Sequence, residues 1–142
     1  MATAQKYKIL CVYNNQQAHS TIIPTAFNLE YVSSDGAFYI RSGETYVGVS
    51  NVHATLEYDG QSPIGSESIE LQDWYEFNNQ PTLFVVEPHP RDGFMIRTAN
   101  PPYLYFAWYR MNHVTRILAR PRLPFVRKPY DDNFYRFRIE AI

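Results

Sequence analysis

Phe84-Val85-Val86-Glu87-Pro88-His89-Pro90-Arg91-Asp92-Gly93-Phe94-Met95-Ile96-Arg97 has an earlier counterpart in the same chain. Phe27-Asn28-Leu29-Glu30 opens the same way, Asp35-Gly36 follows, and Phe38-Tyr39-Ile40-Arg41 closes it. A third opening, Phe137-Arg138-Ile139-Glu140, comes at the end of the sequence, so that the openings start 57 and 53 residues apart. The closing segment for this third copy has to come from the other end, where Tyr7-Lys8-Ile9-Leu10 has the same shape. A pattern that closes on itself predicts three units around an axis, and internal repetition constrains a fold more strongly than local propensity does.

Each unit reads as strands. Asp35-Gly36 and Asp92-Gly93 are turn signals between alternating apolar runs, which predicts hairpins that bring Phe27 and Leu29 beside Phe38 and Ile40, and Phe84 and Val86 beside Phe94 and Ile96. Thr45–Val49 and Pro102–Phe106 follow as the next strands, then Asn51–Leu56 and Asn112–Ile117, giving four strands per unit in the same order. The 10 prolines leave no long helical window. Short strands, recurring turns and threefold repetition predict an all-β closed barrel, because closure removes the unpaired edges that invite aggregation. The first unit is short: Tyr7 to Phe27 spans 20 residues, against 46 from Phe38 to Phe84 and 43 from Phe94 to Phe137. It is expected to have lost a hairpin, since four strands barely fit in that length.

At 142 residues the chain is expected to form a single domain, residues 1–142, large enough for one core. A single cysteine, Cys11, excludes an internal disulfide. No apolar leader segment is visible near Met1, and none of the nine asparagines stands in an Asn-x-Ser/Thr acceptor. Together these features lead us to expect a cytoplasmic location. The longest apolar run, Tyr103 to Tyr109, is too short to span a bilayer. The formal net charge of −1 is unevenly spread. Residues 30–92 hold eleven acids against Arg41 and Arg91, and residues 93–142 hold nine bases against three acids. Interleaving of distant strands would even this out; otherwise the polarity would favour a charged partner or head-to-tail homodimers.

The order Ile69-Glu70-Leu71-Gln72-Asp73-Trp74, Phe84-Val85-Val86-Glu87, Gly93-Phe94-Met95-Ile96-Arg97 and Tyr103-Leu104 resembles the small fungal β-trefoil proteins. That group includes mushroom lectins and protease inhibitors of the mycocypin and cocaprin kind. The resemblance covers residues 36–142 and is a pattern of fold, not a functional motif. It implies a β-trefoil, a closed barrel with a hairpin cap, that presents binding loops.

No constellation for catalysis stands out. The sequence lacks His-Glu-x-x-His, Cys-x-x-Cys, Gly-x-Ser-x-Gly and a phosphate-cradling glycine loop. Cys11 lies on the Tyr7/Ile9 face and is expected in the core, not as a nucleophile. His19, His53, His89 and His113 lack metal-ligand spacing, so neither a metal nor a cofactor is expected. His89, between Pro88 and Pro90, is expected to be exposed. Glu30, Glu87 and Glu140 face away from the phenylalanines of their copies and should pair with strand neighbours such as Arg41 and Arg97. Phe27, Phe38, Phe84, Phe94, Phe134 and Phe137 read as core.

Two segments could carry binding. Arg120, Arg122, Leu123, Phe125, Val126 and Arg127 lie in a proline-stiffened stretch expected to be a long loop before the last strand. Stiff loops lose less entropy on docking, and apolar residues between bases offer an anchor for a protease cleft. Gln72, Asp73 and Trp74 with Asn78 and Asn79 combine an aromatic ring with amides and an acid, as sugar-binding surfaces do. The chain is not basic overall, which argues against nucleic acid. The expectation is a non-catalytic binding protein. The resemblance to fungal inhibitors favours inhibition of cysteine or aspartic proteases through the 120–127 loop, with glycan binding by a lectin of the same fold as the alternative.

Overall fold

The structure is a computed structural model that describes residues 5–12, 15, 17, 23–32, 35–57, 71–111, 114–121 and 135–142. For 51–57, 71–74, 108–111, 114–116, 118, 120 and 121 only the backbone is described. The fold is all-β, with no α-helix among the described residues. The strands are β1 (Tyr7–Cys11), β2 (Asn28–Tyr31), β3 (Phe38–Ser42), β4 (Thr45–Glu57), β5 (Leu71–Asn78), β6 (Phe84–Pro88), β7 (Phe94–Thr98), β8 (Leu104–Met111), β9 (Val114–Pro121) and β10 (Phe137–Ala141). All the strand pairs are antiparallel.

The repeated segments form three ladders in one register. Leu29 faces Ile40 in β2–β3, Val86 faces Ile96 in β6–β7, and Ile139 faces Ile9 in β10–β1. The N-terminal strand therefore completes the third copy, as its sequence predicts. The ladders join through equivalent aromatic residues: Phe38 pairs with Phe84, Phe94 with Phe137, and Tyr7 with Phe27. At the last junction the amide of Tyr7 donates to the Phe27 carbonyl at 2.8 Å and the Phe27 amide donates back at 3.0 Å. These contacts link β1, β2, β3, β6, β7 and β10 in a ring. The remaining strands form two hairpins, β4–β5 and β8–β9, which meet where Tyr75 pairs with Ala119.

The core fills the ring because period-two alternation sends the same positions of each copy inward. Phe27, Phe84 and Phe137 are buried, as are Ile9, Ile40 and Ile96. Phe106 from β8 meets Phe84 edge-on at 5.1 Å and Phe77 at 4.9 Å, tying the outer hairpins to the ring. Each such side chain contributes about 1.5–3 kcal/mol through burial. Cys11 is fully buried in the same core.

Several expectations need correction. Asn51–Leu56 is not a separate strand: β4 runs through it, absorbing the irregularity as a register shift between Val49 and His53. Phe94 is 44% exposed, whereas its counterpart Phe38 is 1% exposed. Phe38 faces Tyr31 across its ladder and packs against it at 5.7 Å; Phe94 faces Pro88, which offers no ring. Phe134 lies outside the described residues. His89 is buried, not exposed. Its ring turns back into the β6–β7 turn, where Nδ1 accepts from the Arg91 amide at 3.1 Å, while its own amide donates to the Gly93 carbonyl at 2.9 Å. Between β1 and β2 the described residues hold no strand, only the isolated bridges of Leu10 to Gln17 and Tyr7 to Phe27.

Candidate functional site

The anticipated carboxylate pairs are present. Arg97 Nε donates to Glu87 Oε1, and Arg41 Nη1 lies 3.7 Å from Glu30 Oε1. Cross-strand register causes both, since Glu and Arg occupy diagonal positions on the outer face of equivalent ladders. Around Glu30 the chain adds Tyr46, whose hydroxyl donates to Oε2 at 3.0 Å while Arg41 lies over the tyrosine ring. The bond to Glu30 raises the Tyr46 pKa above the ordinary tyrosine value, helped by desolvation and the carboxylate's charge. In the other ladder Tyr105 occupies the position of Tyr46, opposite Arg97. Arg97 instead sits 4.9 Å from the ring of Tyr103. These carboxylates are tied up with cations on a solvent-facing surface, which is a structural role.

Cys11 is a poor nucleophile because burial pushes its thiol up to about 12, leaving almost no thiolate near neutrality. Among the described residues, no group of three His, Cys, Asp or Glu is arranged to hold a metal. No helix among them is long and apolar enough to cross a membrane.

The two anticipated binding segments fall differently. Arg120 belongs to β9, paired with Tyr105, and so is a strand residue and not a loop residue. Arg122, Leu123, Phe125, Val126 and Arg127 lie outside the described residues. Gln72, Asp73 and Trp74 lie on β5, paired with Leu56, Thr55 and Ala54. Asn78 ends that strand opposite Gly48, and its Oδ1 accepts from the Gln80 amide at 3.1 Å. That carboxamide oxygen therefore holds the turn. Asn79 is exposed at the tip.

A site missed by the sequence reading lies where the β2–β3 turn meets β6. An open cleft of about 540 Å³ is lined by Val32, Asp35 and Ala37 from the turn, by Leu83 to Glu87 except Phe84, and by Arg97, Ala99 and Asn100. Val32 and Val86 are exposed apolar side chains on its walls. The polar lining consists of Asp35, Asn100 and the Glu87–Arg97 pair.

Comparison with protein-family models, with curated proteins and with solved structures finds no match to this chain.

Proposed function

We propose that this protein is a non-catalytic β-trefoil, shortened in the unit that contains β1, that inhibits cysteine or aspartic proteases through surface loops. One observation carries the fold reading: three ladders of common register are joined in a ring by equivalent aromatic bridges. Such a ring is a rigid scaffold, and rigid scaffolds let loops carry recognition. The inhibitor reading draws on the family resemblance and on the proline-stiffened residues 122–129, between β9 and β10 in sequence. Fold alone does not choose a target, so the choice of protease rests on analogy. The buried, neutral Cys11 thiol fits a protein that blocks an active site without chemistry of its own.

Residual activity of papain and of pepsin, each titrated with the purified protein at about micromolar concentration, tests this. Saturable inhibition of either is expected. Leu123→Ser combined with Phe125→Ser should abolish it with little change in thermal midpoint. Intact inhibition in that variant would remove the loop from the reading. No inhibition of either protease would transfer the proposal to glycan binding, where Trp74→Ala on a glycan array is the corresponding test.

A further inference from the structure

Two junctions in the ring are built alike, and only one is filled. Phe94 bridges to Phe137, which sets the Asp92-Gly93 turn against β10; Phe38 bridges to Phe84, which sets the Asp35-Gly36 turn against β6. Gly93 and Gly36 both have positive φ, 78° and 87°. Beside each turn lies the residue that follows the strand paired with β10 or β6. Val12, after β1, donates its amide to the Arg136 carbonyl at 3.2 Å; Ala99, after β7, donates its amide to the Leu83 carbonyl at 2.8 Å. Val12 and Ala99 are therefore counterparts, and their side chains differ by two methyl groups. At the filled junction Val12 seats on the turn: a Cβ added to Gly93 would stand 2.7 Å from Val12 Cγ2. At the other junction a Cβ added to Gly36 would meet no described atom within 4 Å, and the cleft opens there with Ala99 in its wall.

We infer that the cleft receives a branched aliphatic side chain, valine or isoleucine, from a protein partner, in the seat that Val12 fills at the equivalent junction. The lining fits such a group. Val32 and Val86, 49% and 40% exposed, and the half-buried Leu83 supply apolar surface for it to cover. The charged groups of the lining are already engaged. Glu87 pairs with Arg97, Arg97 also donates to the Thr98 carbonyl at 3.0 Å and lies against the Tyr103 ring, and Asp35 has a partner of its own. A charged side chain would lose water here with no counter-charge waiting for it, which is costly. Asn100, exposed at the rim, both donates and accepts, as the peptide groups on either side of an inserted side chain require. That favours a peptide over a plain hydrocarbon.

The test is a titration of the full chain with Ac-Ala-Val-Ala-NH2, Ac-Ala-Ala-Ala-NH2 and Ac-Ala-Arg-Ala-NH2, followed by amide chemical shifts. The valine peptide should produce saturable shifts at Val32, Ala37, Val86 and Ala99 that added salt does not weaken. It should bind about tenfold more tightly than the alanine peptide, the effect of burying two further methyl groups. The arginine peptide should bind no better than the alanine one. Gly93, whose seat Val12 holds, should not move. Ala99→Val, which copies Val12 into the cleft, should abolish the shifts. Val12→Ala, which empties the other seat, should let the valine peptide shift Gly93 as well, and this variant decides the matter if Ala99→Val does not fold. The inference fails if the valine peptide shifts none of these amides or binds no better than the other two, if a folded Ala99→Val variant binds as before, or if Val12→Ala leaves Gly93 unmoved. It also fails if the same amides move with protein concentration alone, since the occupant would then be a second copy. Protease inhibition is read in a separate assay, so neither result decides the other.

Discussion

The β2–β3 and β6–β7 ladders share register, turn chemistry and an outer-face Glu–Arg pair, yet they bury different residues. Phe38 is in the core and Phe94 is on the surface. Tyr46 is bonded to Glu30, while its counterpart Tyr105 packs edge-on against Tyr135 at 6.3 Å, leaving Tyr103 to cover Arg97. The third ladder, β10–β1, keeps the register but has Leu10 where the others have arginine, and Lys8 opposite Glu140. Register is thus shared among the units, while the use of each outward or rim position depends on what lies beside that unit.

The largest expected effect contrasts the two phenylalanines. Phe38→Ala should cost about 3–5 kcal/mol, as truncation of a fully buried ring does. Phe94→Ala should cost about 1 kcal/mol or less, because a half-exposed ring leaves little cavity. Equal losses of stability in denaturant melts would break the comparison.

The glycines of the two turns give the next contrast. Gly36→Ala pays only for a side chain in left-handed backbone, about 1–2 kcal/mol, since a Cβ there would meet nothing within 4 Å. At Gly93 the same Cβ would lie 2.7 Å from Val12 Cγ2 and 2.9 Å from the Phe137 carbonyl oxygen. The backbone oxygen cannot rotate aside, so Gly93→Ala should cost about 1–3 kcal/mol more than Gly36→Ala. The same denaturant melts check the order, and its inversion would mean that β10 packs less closely on its turn than β6 does.

The smallest effect lies on the outer face. Glu30→Gln should cost below about 1 kcal/mol, as loss of an exposed ion pair does. It should also return the Tyr46 titration toward the ordinary tyrosine range, followed by phenolate absorbance. The folded phenol holds its proton to higher pH than an unfolded one. The stability from its bond to Glu30 is therefore intact below the ordinary tyrosine range and lost as pH rises through the folded titration. An unmoved titration in Glu30→Gln would separate Tyr46 from Glu30 in solution.

The hairpins were legible because their signals are local. Asp-Gly turns and period-two alternation fix which residues face each other, and the Glu30–Arg41 and Glu87–Arg97 pairs follow from that register. The burial of His89 was not legible: two flanking prolines suggest a stiff exposed turn, but its ring folds back onto the Arg91 amide. The cleft was missed because its walls come from separate segments, Val32 to Ala37, Leu83 to Glu87 and Arg97 to Asn100, which only the assembled sheet brings together.

The sequence by itself determined an all-β chain, the repeated hairpins and the completion of the last copy by the N-terminal strand, because strand periodicity and turn chemistry act over a few residues. Only the tertiary structure decided that Phe94 stays at the surface, that β4 runs on through a bulge, and that a cleft opens beside Leu83. These features depend on contacts between residues distant in sequence, such as Phe38 with Phe84 and Tyr7 with Phe27. Burial at such places is a property of the assembled neighbours, which no local pattern encodes.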